Sequence, residues 1–172
     1  MALTGLRAFI TGGSSGIGAA TARAFAARGM HVGIAGRDIA ALERVAADTN
    51  GTFIPGDLRE PGCARRTIDA AVDALGGLDV VVSNAGIGWA GPFASMSESE
   101  IDALLDVNLR AAAHLTHAAL PHCAQGSAGL SLSGPSPGWS ACPARRGTRR
   151  PKRPSGPLPI HCAPNCGRPA WE

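Results

Sequence analysis

Tyrosine is absent from these 172 residues, and lysine occurs once, as Lys152. The first absence withholds a phenol from any proton transfer. No apolar stretch approaches the roughly 20 residues that span a bilayer, because Gly or charge interrupts each one, so no membrane association is expected. The N-terminus enters a strand-like run within a few residues and lacks the organisation of a signal peptide, which makes the cytoplasm the expected compartment. The five cysteines are an odd set without the framework of a small disulfide-bonded secreted domain. Cys63 and Cys123 read as ordinary thiols. Cys142, His161, Cys162 and Cys166 match no finger or ribbon spacing, so no metal site is expected.

What is present suits one globular domain: 45% of the residues are hydrophobic and 17% charged. The net charge of +3 is unevenly spread. Residues 1–125 hold nine Arg against twelve acidic residues, a net −3, whereas residues 126–172 hold six Arg and one Lys against one Glu, a net +6. Nine of the thirteen prolines also lie in that shorter second part.

Up to about residue 122, strand-like apolar runs alternate with helical patterns, the signature of βαβ units around a parallel sheet. Residues 6–11 and 31–36 read as strands, each followed by a helix, at 16–29 and 39–48. A third strand over 52–56 leads to a helix over 62–75, with Ile68, Ala71, Val72 and Leu75 on one face. Asp79 to Ser83 is nearly continuous in β-branched residues, as a strand covered on both faces requires. Ser97 and Glu100 form a capping box, predicting one helix from there to about Leu120.

Between the first strand and first helix stands Thr11-Gly12-Gly13-Ser14-Ser15-Gly16-Ile17-Gly18. Glycines there permit a sharp turn, bring backbone N–H groups close to a pyrophosphate and let the helix pack on the sheet. Gly12, Gly16 and Gly18 suit those roles. Taken alone, the same run also suits a glycine-rich connection that binds nothing.

The TGxxxGxG pattern resembles the turn of the short-chain dehydrogenase/reductase family, and later positions agree. Asn84-Ala85-Gly86 resembles the family's NAG motif, which borders the cofactor. Asp57-Leu58 resembles its adenine contact, and Asp106-Val107-Asn108-Leu109 resembles the segment carrying its catalytic-site Asn. The resemblance implies a Rossmann-like doubly wound sheet of about five strands over residues 1–133, strand order 3-2-1-4-5. It also implies an oxidoreductase moving a hydride between a nicotinamide cofactor and a small carbonyl or alcohol. The implied cofactor-binding set is Gly12, Ser14, Ser15, Gly16, Ile17, Gly18, Arg37, Asp57, Leu58, Asn84, Ala85 and Gly86, with Asn108 the catalytic-type residue retained. At the end of the second strand, where a carboxylate would hold the ribose hydroxyls of NAD, the chain has Gly36-Arg37. A guanidinium pairs with a 2′-phosphate, which favours NADP over NAD; the competing reading is a surface Arg37 paired with Asp38.

The family's chemistry needs a Ser, a Tyr and a Lys four residues after the Tyr, whose charge lowers the phenol's pKa from about 10. Without a tyrosine, this chain is expected to be catalytically silent. The resemblance stops near Leu130 to Ser133 (LSLS), and the residues beyond it can be read as the family's coding DNA translated out of frame. Gly147 to Gly156 (GTRRPKRPSG) can be encoded so that the frame starting at each codon's last base reads YAASKAAVR, the family's Tyr-x-x-x-Lys helix. That frame places a Ser codon at position 135 and the Tyr codon at position 148, thirteen residues apart, which suits the family. A frameshift between the codons for Ser133 and Pro135 is therefore expected. Residues 134–172 are expected to be a disordered tail, and the family's homo-oligomer, which uses the missing half, is expected to be lost. The run RRGTRRPKRP also admits a weaker reading as a nucleic-acid contact. GC-rich DNA read out of frame yields Arg, Pro and Gly by default.

Overall fold

The computed structural model describes residues 3–122 and the strand at 129–132. The segment at 134–172, with its basic run and three cysteines, lies outside the described residues, as does Cys123. Five strands, β1 (Arg7–Thr11), β2 (His31–Gly36), β3 (Thr52–Pro55), β4 (Val80–Ser83) and β5 (Gly129–Leu132), make one parallel sheet in the order β3-β2-β1-β4-β5. This is the doubly wound order expected from the sequence.

Alternation along the strands builds a core on each face. On one side Ala8, Ile10, Val32, Ile34 and Val82 meet Ala19 and Ala22 of α1 (Gly16–Ala26) and Leu42 and Val45 of α2 (Ile39–Thr49). On the other, Phe9, Ala35 and Val81 meet Ala64, Ile68 and Ala71 of α3 (Cys63–Leu75), together with Leu115 and Ala118. Phe9, Ile10, Ile34, Leu42, Ile68 and Leu115 are fully buried. Each such side chain contributes on the order of 2 kcal/mol by leaving water. Gly33 faces Phe9 across the sheet, where a Cβ would come within 3.2 Å of the Phe9 ring and 3.1 Å of Leu75.

The helix ends follow their local chemistry. Asp38 accepts a hydrogen bond from the Ala41 N–H at 2.9 Å and so caps α2, and Asn50 closes that helix in the left-handed region at φ 47°. Ser97 and Glu100 form the expected capping box at the start of α4 (Glu98–Leu105). The first helix stops at Ala26, three residues short of its sequence-predicted end, and Gly29 turns the chain at φ 79°.

One expectation is corrected. The helix predicted to run unbroken to Leu120 is interrupted by a π-turn at Asp106–Arg110 and resumes as α5 (Ala111–Ala119). A wider turn inserts about one residue into the helical repeat, which a 3.6-residue periodicity does not register.

At the opposite end of the sheet from the turns, Arg7 and Asp79 join the starts of β1 and β4. Arg7 Nε donates to Asp79 at 2.7 Å, Nη2 at 3.0 Å and the Arg7 backbone N–H at 2.9 Å. The guanidinium also donates to the Gly76 carbonyl at 2.6 Å.

Candidate functional site: a cleft at the head of the sheet

In a parallel sheet all carboxyl ends of the strands share one edge, so the loops after β1, β2, β3 and β4 converge there. They enclose a cleft of about 380 Å³. Of the residues singled out from the sequence, Gly12, Ser14, Ser15, Gly16, Ile17, Arg37, Asp57, Leu58, Asn84, Ala85 and Gly86 line it. Gly18 and Asn108 are not among the residues that line it.

The glycine turn is shaped by close approach. A Cβ on Gly18 would lie 2.2 Å from the Gly12 carbonyl oxygen and 2.5 Å from the Asn84 amide. Gly12 itself has φ 66° and passes within 2.9 Å, Cβ to Cα, of Ala85. Gly16 differs: its φ is 52°, yet its missing side chain would point into open space. Ser15 precedes α1 without a side-chain cap, and the first turn holds no acidic residue. The helix therefore presents its first N–H groups and the positive end of its dipole to the cleft, an arrangement that suits an anion.

Two sets of hydrogen bonds fix the floor. Thr11, fully buried, accepts from the N–H groups of Asn84 and Ala85 through its hydroxyl at 3.2 Å each. The Asn84 side chain donates to the carbonyls of Thr11 at 3.1 Å and Gly12 at 3.2 Å. The turn after β1 and the segment after β4 are thus tied into one unit. Asn108, in the π-turn, holds the next residues along: its amide bonds both backbone groups of Ile87. Its side chain is spent on positioning that segment.

Only two charged side chains line the cleft among the described residues, Arg37 and Asp57. Arg37 makes no ion pair among them, and Asp38 serves as the α2 cap instead. Asp57 is clasped by Arg59, whose Nε lies 3.0 Å from each carboxylate oxygen, whose Nη2 also donates to it, and whose backbone N–H donates at 3.0 Å. Hydrogen bonding to Arg59, reinforced by the charges of Arg59 and Arg37, holds the Asp57 carboxyl down at about 2 against partial burial.

A second hollow, of about 310 Å³, adjoins this cleft between the start of α3 and the π-turn, and Arg59 lines it. None of the glycine-turn residues reaches it. No group of three or more His, Cys, Asp or Glu residues among the described residues is arranged to hold a metal. Nor is any described helix long and apolar enough to cross a membrane.

Contributors not singled out from the sequence include Thr11, Gly13 and Arg59. Thr11 read as the last residue of a strand. Gly13 sits where a Cβ would fall 2.6 Å from that of Ile34, a constraint visible only once β2 lies beside the turn. Arg59, two residues after Asp57, carried no helical or strand spacing to mark it as a partner.

The profile of the short chain dehydrogenases matches residues 7–131. Among curated proteins, the chain is 35% identical over 144 residues to oxidoreductase asL5 of Sarocladium schorii, covering 82% of this chain and 58% of that one. Among solved structures, it superposes on a short chain dehydrogenase from Burkholderia cenocepacia J2315 in complex with NADP, with a TM-score of 0.71 and 36% identity, covering 76% of this chain and 56% of the other. It also superposes on a 3-ketoacyl-(acyl-carrier-protein) reductase from Brucella melitensis complexed with NADH, at a TM-score of 0.67 and 33% identity over 70% of this chain and 51% of that one. The chain spans little more than half the length of the relatives it matches.

Proposed function

The chain belongs to the short-chain dehydrogenase family, and on that footing we propose that the cleft at the head of the sheet binds NADP(H) in preference to NAD(H). The glycine turn at the start of α1 would hold the pyrophosphate, Asp57 and Leu58 would border the adenine, and Asn84, Ala85 and Gly86 would line the nicotinamide side of the cleft. Arg37 takes the 2′-phosphate. The observation that carries the preference is Arg37 itself, a guanidinium at the end of β2 that lines the cleft without an ion-pair partner among the described residues.

In a chain that also carries the family's Ser, Tyr and Lys, the bound nicotinamide would supply hydride chemistry to a small carbonyl or alcohol. The residues of this chain do the positioning. Thr11 and Asn84 hold the turn against the segment after β4, and Asn108 fixes Ile87 beside the cleft. The 172 residues hold no tyrosine, so a protein made of them alone has no phenol to move the proton. It is a nucleotide-binding domain without turnover, and it assembles poorly.

Calorimetric titration of the purified 172-residue chain with NADPH and with NADH tests the reading. Heat with NADPH at lower concentration than with NADH is expected, and the difference should collapse in Arg37→Gln. A folded sample giving no heat with either cofactor removes the assignment.

A further inference from the structure

We infer that Arg59 is a cofactor-specificity residue that acts through Asp57: by occupying both carboxylate oxygens from behind the cleft, it keeps Arg37 available for a 2′-phosphate. This inference rests on the NADP reading above and names the residue that sustains it.

The reasoning starts from the charges. The cleft wall carries one cation, Arg37, and one anion, Asp57, and no other ionised side chain among the described residues. Left to themselves, the two would cancel. Arg37 would be drawn to Asp57, and a 2′-phosphate with a charge between −1 and −2 would meet a carboxylate with no compensating cation. Arg59 changes that balance. It lines the neighbouring hollow and not the cleft, so it offers nothing directly to a ligand seated on the glycine turn. Its guanidinium and backbone N–H nevertheless place four donor contacts on the Asp57 carboxylate, so that a residue lining the hollow bonds one lining the cleft. Leu58, between them in sequence, lines both spaces.

Arg59 spreads its guanidinium and backbone donors over both carboxylate oxygens, which fixes the carboxylate in orientation as well as in charge. With Asp57 neutralised, the cleft keeps a net charge of +1 from Arg37. Asp57 retains unused lone pairs on each oxygen, so it still accepts from an adenine amino group. Arg37 and Asp57 line the same cleft, and the Arg37 charge is among those that hold the Asp57 carboxyl down. Removing Arg59 therefore exposes Arg37 to a competing anion already near it.

The test is a fluorescence titration of the full chain and three variants with NADPH and with NADH. In Arg59→Gln the preference for NADPH is expected to fall about fivefold to tenfold, nearly all of it through weaker NADPH binding, as for one unscreened charge at this range. In the double variant Asp57→Asn, Arg59→Gln the preference is expected to return, because the competing charge is gone. A purely structural role for Arg59 would weaken both cofactors equally and would not be rescued. Arg37→Gln separates the two claims. If it leaves the preference unchanged, the NADP reading itself fails. If it abolishes the preference while Arg59→Gln does not alter it, the reading stands and the inference is overturned.

Discussion

Asn108 clasps Ile87 by both ends of its amide: Nδ2 donates to the Ile87 carbonyl at 2.8 Å, and Oδ1 accepts from the Ile87 N–H at 2.9 Å. The π-turn of Asp106–Arg110 presents the amide, and Ile87 lies just beyond the Asn84-Ala85-Gly86 segment, on the wall of the cleft.

Asn108→Leu keeps the size of the side chain and removes both hydrogen bonds, leaving an N–H and a carbonyl of a partly buried segment unmet. An unsatisfied group costs about 1–3 kcal/mol, so a loss of about 2 kcal/mol in urea denaturation is expected, with weaker NADPH binding. Unchanged stability together with unchanged affinity would show that the clasp does not hold the segment.

The glycine turn makes a contrast between two positions of the same motif. At Gly18 a methyl group would press on the Gly12 carbonyl and the Asn84 amide, both part of the fixed floor. Gly18→Ala is expected to cost about 3 kcal/mol or more, the upper end for overpacking, and to abolish cofactor binding. At Gly16 the methyl meets nothing, and only its φ of 52° is unfavourable. Gly16→Ala is expected to cost about 1–2 kcal/mol. Equal losses in thermal unfolding would refute this account of the turn.

Much of this was legible in the chain. The alternating strand and helix patterns marked the βαβ units, the family resemblance implied the strand order, and eleven of the thirteen site residues named from sequence do line the cleft. What escaped has a common physical cause. The π-turn adds a residue without altering which side chains are apolar. Gly13 depends on the distance to Ile34, a neighbour twenty-one positions away. The Arg59 clasp joins residues i and i+2 in an irregular loop, where spacing carries no rule of the kind that i,i+4 pairs obey on a helix.

At the other end of the sheet, Arg7 holds the Asp79 carboxyl below its ordinary value, mainly by hydrogen bonding. Above about pH 4, the usual range of a free Asp, both folded and unfolded states are ionised and the pair stabilises the fold fully. As the pH falls, the unfolded state takes up a proton first, and this contribution is lost until the folded carboxyl protonates as well. Asp57, held at about 2, behaves in the same way. Urea midpoints should therefore drop steeply below pH 4. Asp79→Asn is expected to cost about 2 kcal/mol at neutral pH, within the range for charge-assisted bonds, and to flatten the acid slope. An unaltered slope would mean the pair does not set acid stability.

The last prediction concerns the reading frame. If the tail arises from a frameshift, inserting one base between the codons for Ser133 and Pro135 is expected to give a serine at position 135, a tyrosine at position 148 and a lysine at position 152 in place of residues 134–172. A phenol with a cation four residues along the same helix face has its pKa lowered toward neutrality, and proton transfer of this kind contributes about 10²- to 10⁴-fold in rate. The restored protein is expected to oxidise NADPH in the presence of small aldehydes or ketones, followed by the loss of nicotinamide absorbance, while the 172-residue chain does not. Replacing the new tyrosine by phenylalanine should return the rate to that of the unrestored chain. Turnover by the unrestored chain, or a stop codon soon after the inserted base, would remove the frameshift as the origin of the tail.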